Sequence, residues 1–245
     1  SSEETGVLIR TNQYGELRHD RIYYKNVVVG HRVFKGENLI AEESFSDGVV
    51  TRGRYLRDQV FFEVKYGGSN HRVVAVRAES ANGQLIEKYE SDLKQDTSAA
   101  AVLSGTSTRI DINGKPIFQI RYENNQVAEA KVLMTGSNET AQTADGGFFR
   151  VHVRDGQHLL EFSGVKVFFD SLRLGMFPFS RTPLSGSVAF TFGGVWSGEM
   201  LQRAENGRDL SISSAFLNGV PDGLTSVKWA SEFERVTTYH KGRPE

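Results

Sequence analysis

The chain contains no cysteine. This absence excludes disulfide bonds, metal sites built from thiolates and a cysteine nucleophile. Proline is also scarce, with 5 residues, whereas glycine is frequent, with 25. Low proline together with high glycine is typical of a chain in which many tight turns join short extended segments.

The sequence also lacks an excess of either charge and lacks any long apolar run. Its 29 Lys and Arg residues nearly balance its 30 Asp and Glu residues, which gives a net charge of −1. A nucleic-acid-binding protein carries a basic footprint, so we expect no nucleic-acid partner. No run approaches the roughly 18 apolar residues needed to cross a bilayer, so we expect no transmembrane segment in the visible chain.

Motifs of catalysis and metal binding are missing too. The six histidines show no His-x-x-x-His spacing, and no phosphate-binding or calcium-binding loop is present. The run at residues 193–198 places Trp196 where a Gly-x-Ser-x-Gly elbow would carry its serine. We therefore expect no catalytic residue, no metal and no cofactor. A hydrolase with a carboxylate pair stays open as a third hypothesis, because sequence does not show distances between strands.

What the sequence does contain is a repeated phrase: an aromatic residue, a few polar residues, Asn-Gly or Asp-Gly, and a new alternating run. Both dipeptides tolerate the positive φ angles of a tight hairpin turn. They occur at Asp47-Gly48, Asn82-Gly83, Asn113-Gly114, Asp155-Gly156 and Asn218-Gly219. No stretch of a dozen residues has helical periodicity. The sequence therefore predicts an all-β fold, an antiparallel meander of β-hairpins forming an extended twisted sheet or two β lobes, with few or no helices.

Two polar stretches interrupt this pattern. Residues 91–108 contain mostly small and polar side chains, and residues 135–147 contain no large apolar side chain. We interpret them as a linker or short helix and as an exposed loop. The predicted organisation is an N-terminal hairpin-repeat lobe at 1–90, the linker at 91–108, and a C-terminal β lobe at 109–245 that includes the loop.

The clearest single element is a hairpin over residues 148–162. With Asp155-Gly156 as the two central turn residues, Phe149 faces Phe162 and Arg150 faces Glu161. An aromatic pair and an opposite-charge pair each contribute roughly 0.2–1 kcal/mol in such positions. A slip by one residue would move every side chain to the other face, so the sequence specifies this register.

Two segments carry candidate partner-binding residues. Phe177, Phe179 and Arg181 lie around a proline in a turn-like run, and Trp196 lies between glycines. Interface hot spots favour aromatic residues and arginine. The alternative interpretations are that the two phenylalanines plug one end of the sheet and that the tryptophan is buried.

The repeated phrase resembles a known repeat. Tyr23-Tyr-Lys-Asn26 with Gly30-His-Arg-Val-Phe34, and Phe216-Leu-Asn-Gly-Val-Pro-Asp-Gly223, are similar to the bacterial variety of the membrane occupation and recognition nexus (MORN) repeat. The copy at Phe216 matches best, whereas the first copy has Val27 where the repeat usually has glycine. The resemblance implies hairpin units stacked side by side in an elongated, twisted sheet.

The resemblance also implies a function. Bacterial members of this class resemble protein-interaction modules, including antitoxins and immunity proteins that cover a toxin's active site. We therefore expect a non-catalytic scaffold, an immunity-like or antitoxin-like protein that neutralises a toxin or effector by direct binding. The alternative is an envelope protein that binds glycan or another ligand through exposed aromatic residues.

The polar start at residues 1–6 resembles the segment that follows a cleaved signal or a lipid-bearing residue. From this we expect a mature or trimmed product of the cell envelope or periplasm, including the case of a lipoprotein, rather than of the cytoplasm.

Overall fold

The computed structural model describes residues 5–12, 14–57, 59–67, 72–92, 104–124, 126–166, 184–190, 194, 196–204, 211–229 and 233–245. These residues form twenty strands and no helix, and neighbouring strands pair in antiparallel fashion. The prediction of an all-β antiparallel meander is confirmed. No helix among the described residues has the length and apolar character needed to span a membrane.

The first sheet, sheet A, contains eleven strands in the order of the sequence. They are β1 Gly6–Thr11, β2 Leu17–Tyr24, β3 Val27–Lys35, β4 Asn38–Ser46, β5 Val49–Arg57, β6 Val60–Gly67, β7 Arg72–Ser80, β8 Leu85–Ser91, β9 Gly105–Ile110, β10 Pro116–Glu123 and β11 Gln126–Val132.

The second sheet, sheet B, contains nine strands, again in the order of the sequence. They are β12 Thr140–Gln142, β13 Phe148–Arg154, β14 Gln157–Val165, β15 Leu184–Phe190, β16 Trp196–Ala204, β17 Ser211–Leu217, β18 Val220–Trp229, β19 Phe233–His240 and β20 Arg243–Pro244.

Three of the five turn dipeptides, Asp47-Gly48, Asp155-Gly156 and Asn218-Gly219, have positive φ at both residues, whereas at Asn82-Gly83 and Asn113-Gly114 only the glycine does. Asp155 and Gly156 have φ angles of 50° and 76°, and Asn218 and Gly219 have 53° and 77°. Positive φ at both central residues defines the two-residue type I′ hairpin turn, whose twist matches that of the flanking strands. The β13–β14 register is confirmed as well, with Phe149 opposite Phe162.

The predicted division into lobes stays a prediction, but the strand pairing shows where the sheets change. Strands β8 and β9, on either side of the polar stretch, pair with each other, and Ser91 lies opposite Gly105. Sheet A thus continues across 91–108. The chain passes to sheet B between Val132 and Thr140, within the second polar stretch.

The two sheets share one apolar core between them. The rings of Phe118 on β10 and Phe149 on β13 meet edge to face, with 5.5 Å between their centroids. The N–H of Ile112 also donates to the carbonyl of Gln142 at 2.9 Å. Burial of such apolar surface is the main driving force for the association of the two sheets.

The other end of sheet A has no such core. In β1–β5, all of whose residues are described, only Gly30 and Gly53 are buried. Among the described residues, the first buried hydrophobic one is Val60. Side chains on both faces of these five strands contact solvent. This part of sheet A is therefore a single layer that extends from the two-sheet core.

Candidate functional site

A row of hydrogen-bonded polar side chains crosses one face of the single layer. We call it the polar row, and its members are His19 on β2, His31 on β3, Glu43 on β4, Tyr55 on β5 and Tyr66 on β6. The first four are each twelve residues apart in sequence. Successive strands from β2 to β6 begin ten or eleven residues apart, and each strand contributes one member.

The two histidines form the first link of the polar row. Nδ1 of His19 lies 3.2 Å from Nε2 of His31, and the ring planes differ by 13° with centroids 5.4 Å apart. The close approach is therefore between ring edges. One nitrogen must donate and the other must accept, so the two rings cannot both be protonated at these atoms.

Glu43 is the acceptor at the centre of the row. Its Oε2 lies 3.2 Å from Nδ1 of His31, and its Oε1 accepts a hydrogen bond of 2.9 Å from the hydroxyl of Tyr55. A proton on Nδ1 of His31 leaves Nε2 to accept from His19. This assignment satisfies every member of the row from Tyr55 to His19 without a formal charge on either imidazole.

The hydroxyl of Tyr55 is held as a neutral donor. It lies 3.3 Å from the hydroxyl of Tyr66, which donates to Tyr55 because the proton of Tyr55 is directed at Glu43. Burial raises the pKa of Tyr55, and the contacts with Tyr66 and Glu43 raise it further. The tyrosine therefore keeps its proton, and with it the hydrogen bond to Glu43, throughout the neutral range.

Gly53 makes the position of Tyr55 possible. The ring of Tyr55 folds back along its own strand and covers Gly53, where a Cβ atom would stand 2.5 Å from Cζ of the ring. Glu43 lies directly opposite Gly53 in the register of β4 and β5. The missing side chain thus leaves the space through which the tyrosine hydroxyl reaches the carboxylate.

An open hollow of about 560 Å³ lies beside the histidine end of the row. Its lining includes the guanidinium-bearing Arg21, the imidazole of His31 and the carboxylate of Glu43, together with the apolar Val28 and Phe45. Charged groups beside the ring of Phe45 suit the binding of a side chain or ligand that carries both a polar and an apolar part.

A second hollow, of about 340 Å³, lies at the tyrosine end. It is lined by Tyr55, Arg57, Phe62, Val64, Tyr66, Val73 and Val76. Apart from Arg57 and the two hydroxyl groups, this lining is apolar. The polar row therefore runs between a mixed hollow on β2–β4 and an apolar hollow on β5–β7.

The structure also contains a buried ionic cluster. Nη2 of Arg109 lies 2.6 Å from Oδ2 of Asp145, and both side chains have no exposed surface. Nη1 of Arg109 lies 3.8 Å from Oε2 of Glu87, which is equally buried, and Ser107 donates to Glu87 at 2.7 Å. Because the cluster is closed to solvent, we interpret it as a connection between the sheets rather than as a substrate site.

Among the described residues, no group of three or more His, Cys, Asp or Glu side chains is placed to hold a metal ion. The polar row brings together two histidines and one glutamate, but their facing atoms are joined by hydrogen bonds.

The sequence-predicted binding residues lie elsewhere. Phe177, Phe179 and Arg181 fall outside the described residues, and for Trp196 the structure describes only the backbone, at the start of β16 opposite Phe190. Their proposed role therefore stays a prediction. The sequence reasoning missed the polar row, for which the twelve-residue spacing of His19, His31, Glu43 and Tyr55 was the available signal.

Neither the comparison with protein-family models nor the comparison with curated proteins found a match for this chain. The likeness to MORN repeats stays a prediction that rests on the short phrases quoted above.

Proposed function

We propose that this chain is a non-catalytic protein-binding scaffold that binds its partner through the face of β1–β5 that carries the polar row. In this proposal it acts as an immunity-like or antitoxin-like protein, which neutralises a toxin or effector by direct contact. The observation that carries the proposal is the single layer: within β1–β5 no hydrophobic residue is buried.

The size of this face supports the proposal. Strand β3 has nine residues, which span about 30 Å at roughly 3.3 Å each, and five strands cover about 24 Å at roughly 4.8 Å spacing. The resulting face of about 700 Å² is close to the roughly 800 Å² that each partner contributes to a standard protein interface. The face is thus large enough for one stable protein contact.

The chemistry of the face supports it as well. Histidine, glutamate and tyrosine side chains in the polar row are already ordered by hydrogen bonds to each other. This chain therefore loses little additional side-chain entropy when a partner binds the face, because those side chains are already restricted. The apolar hollow at Tyr55 and Tyr66 adds a place for an anchoring side chain.

The test is co-purification with the product of the neighbouring gene, followed by calorimetric titration of the two purified proteins. We expect a tight complex that is weakened at least about tenfold by His31→Ala, a loss of about 1.4 kcal/mol. Arg32→Ala, the adjacent residue on the opposite face, is the matched control and should bind like the wild type. No complex, or an equal loss in both variants, would contradict the proposal.

A further inference from the structure

Four basic side chains lie on β1–β3, on the face that carries the polar row. Arg10 of β1 lies opposite His19 of β2, and Arg21 of β2 lies opposite His31 of β3. Residues directly opposite each other in an antiparallel pair point to the same side of the sheet. Because His19 and Arg21 are two residues apart on β2, the side chains of Arg10, His19, Arg21 and His31 all lie on this face.

Arginines on the other face of the same strands are neutralised locally. Arg18 lies 3.1 Å from Asp20, and Arg32 lies 2.8 Å from Glu42. The first pair lies within β2, and the second joins β3 to β4. Both arginines on the opposite face of β2 and β3 are therefore matched by carboxylates at short range.

The face that carries the polar row differs in this respect. The ion pairs among the described residues include neither Arg10 nor Arg21. Glu43 is the carboxylate of the polar row, and its two oxygens already accept from His31 and from Tyr55. Two exposed guanidinium groups are thus left without a local counter-charge on the face that we assign to partner binding.

An apolar surface adjoins the guanidinium group of Arg21. Arg21 lines the larger hollow together with Val28 and Phe45. An arginine beside an aromatic wall is a common composition at the centre of protein interfaces. Two arginines are far fewer than the six to ten phosphate contacts typical of a DNA-binding protein, so the composition favours a protein ligand over a nucleic acid.

We propose that this face binds an acidic segment of a partner protein, whose carboxylates pair with Arg10 and Arg21 while one of its apolar side chains enters the hollow against Val28 and Phe45. The inference rests on the proposed function and names the chemistry of the partner. Guanidinium groups pair with carboxylates through two parallel hydrogen bonds, which gives such contacts both strength and orientation.

The probe for this proposal is a fluorescein-labelled peptide of glutamates around one central phenylalanine, measured by fluorescence anisotropy with the full chain. We expect saturable binding that weakens about tenfold in Arg21→Gln and about threefold or more in Arg10→Gln, and that weakens with added salt. Arg32→Gln, on the opposite face, is the matched control and should bind like the wild type. Replacing the phenylalanine of the peptide with alanine should also reduce the affinity.

Equal binding by Arg21→Gln and Arg32→Gln would overturn the proposal, and so would tighter binding of a DNA oligonucleotide or of anionic phosphatidylserine vesicles than of the glutamate peptide. A native complex with the neighbouring gene's product that is insensitive to both Arg10→Gln and Arg21→Gln would overturn this inference alone. If that complex does not form while the peptide binds in an arginine-dependent way, the proposed function fails and the acidic-segment site stands.

Discussion

Arg109 on β9 and Asp145, in the turn before β13, connect the two sheets. Nη2 of Arg109 donates to both carboxylate oxygens of Asp145, at 2.7 and 2.6 Å, and the N–H of Lys166 donates to the same carboxylate at 2.9 Å. Nε and Nη1 of Arg109 have no hydrogen-bond partner among the described residues. The buried guanidinium group therefore depends chiefly on Asp145 for its compensation.

The first prediction concerns this pair. Asp145→Asn removes the closer of the two carboxylates that face the buried Arg109, Glu87 remaining at 3.8 Å. We expect the free energy of unfolding to fall by about 3–5 kcal/mol, as when one partner of a buried ion pair is removed. Urea denaturation followed by circular dichroism measures the change. Glu123→Gln breaks the exposed pair with Arg121 and should cost less than about 1 kcal/mol. Comparable losses in both variants would contradict the assigned role of Asp145.

The second prediction concerns pH. Burial raises the pKa of Asp145, but the Arg109 guanidinium and the hydrogen bonds from Thr143 and Lys166 outweigh burial and hold that pKa below its ordinary value. The unfolded chain then binds more protons than the folded chain between the two pKa values, so stability rises with pH there. The stability that the Asp145 carboxylate contributes is complete above about pH 3.9, the pKa of aspartate in an unfolded chain. It is lost as the pH falls through the pKa of Asp145 in the folded chain.

The measurement is the difference in unfolding free energy between wild type and Asp145→Asn, taken from neutral pH down to about pH 3. We expect a constant difference from neutral pH down to the ordinary pKa of aspartate, and a shrinking difference below it. A difference that does not change across this range would show that the carboxylate of Asp145 is not the titrating group.

The third prediction compares two turn glycines with nearly the same backbone. Gly219 and Gly156 have φ angles of +77° and +76°. A Cβ at Gly219 would stand 2.7 Å from the backbone nitrogen and oxygen of Ala130 on β11, whereas nothing lies within 4 Å of a Cβ at Gly156. The turn between β17 and β18 thus reaches the main chain of sheet A, which cannot move aside as a flexible side chain can.

Gly156→Ala should therefore cost about 1–2 kcal/mol, the ordinary penalty of a left-handed backbone. Gly219→Ala carries that penalty and about 1–3 kcal/mol more for overpacking. Thermal and urea unfolding of the two variants measure the difference. Equal losses would mean that the turn is not held against β11 in solution.

The hairpin over residues 148–162 shows how far sequence reasoning reaches. The pairing of Phe149 with Phe162 follows from two local signals, the turn dipeptide and the alternation of side chains, and both act within one hairpin. Their rings lie with centroids 6.0 Å apart. The all-β class is predictable for the same reason, because each turn signal is local.

The polar row was not predictable in this way. Bulges shift the register between β2 and β3 and again between β3 and β4, and each extra residue moves the following side chains to the other face. A spacing of twelve residues therefore does not show that His19, His31 and Glu43 lie on the same face. The pairing of Arg109 with Asp145 spans 36 residues and two sheets, which no local pattern encodes.

The last prediction tests the tyrosine end of the polar row. Gly53→Ala places a Cβ within 2.5 Å of the Tyr55 ring, so the ring must leave its position and its hydroxyl loses the 2.9 Å bond to Glu43. We expect a loss of about 1–2 kcal/mol in stability, the cost of a lost hydrogen bond and of its unsatisfied partner. The pKa of Tyr55, which burial raises in the wild type, should return toward about 10.

Ultraviolet titration of tyrosinate follows this change, since one more tyrosine should ionise in the ordinary range in Gly53→Ala than in the wild type. Tyr55→Phe should lack one of the late-titrating tyrosines of the wild type, which identifies the signal. Gly6→Ala is the control, because a Cβ at this strand glycine meets nothing within 4 Å. If Gly53→Ala titrates like the wild type, Tyr55 does not lie over Gly53, and the polar row ends at Glu43.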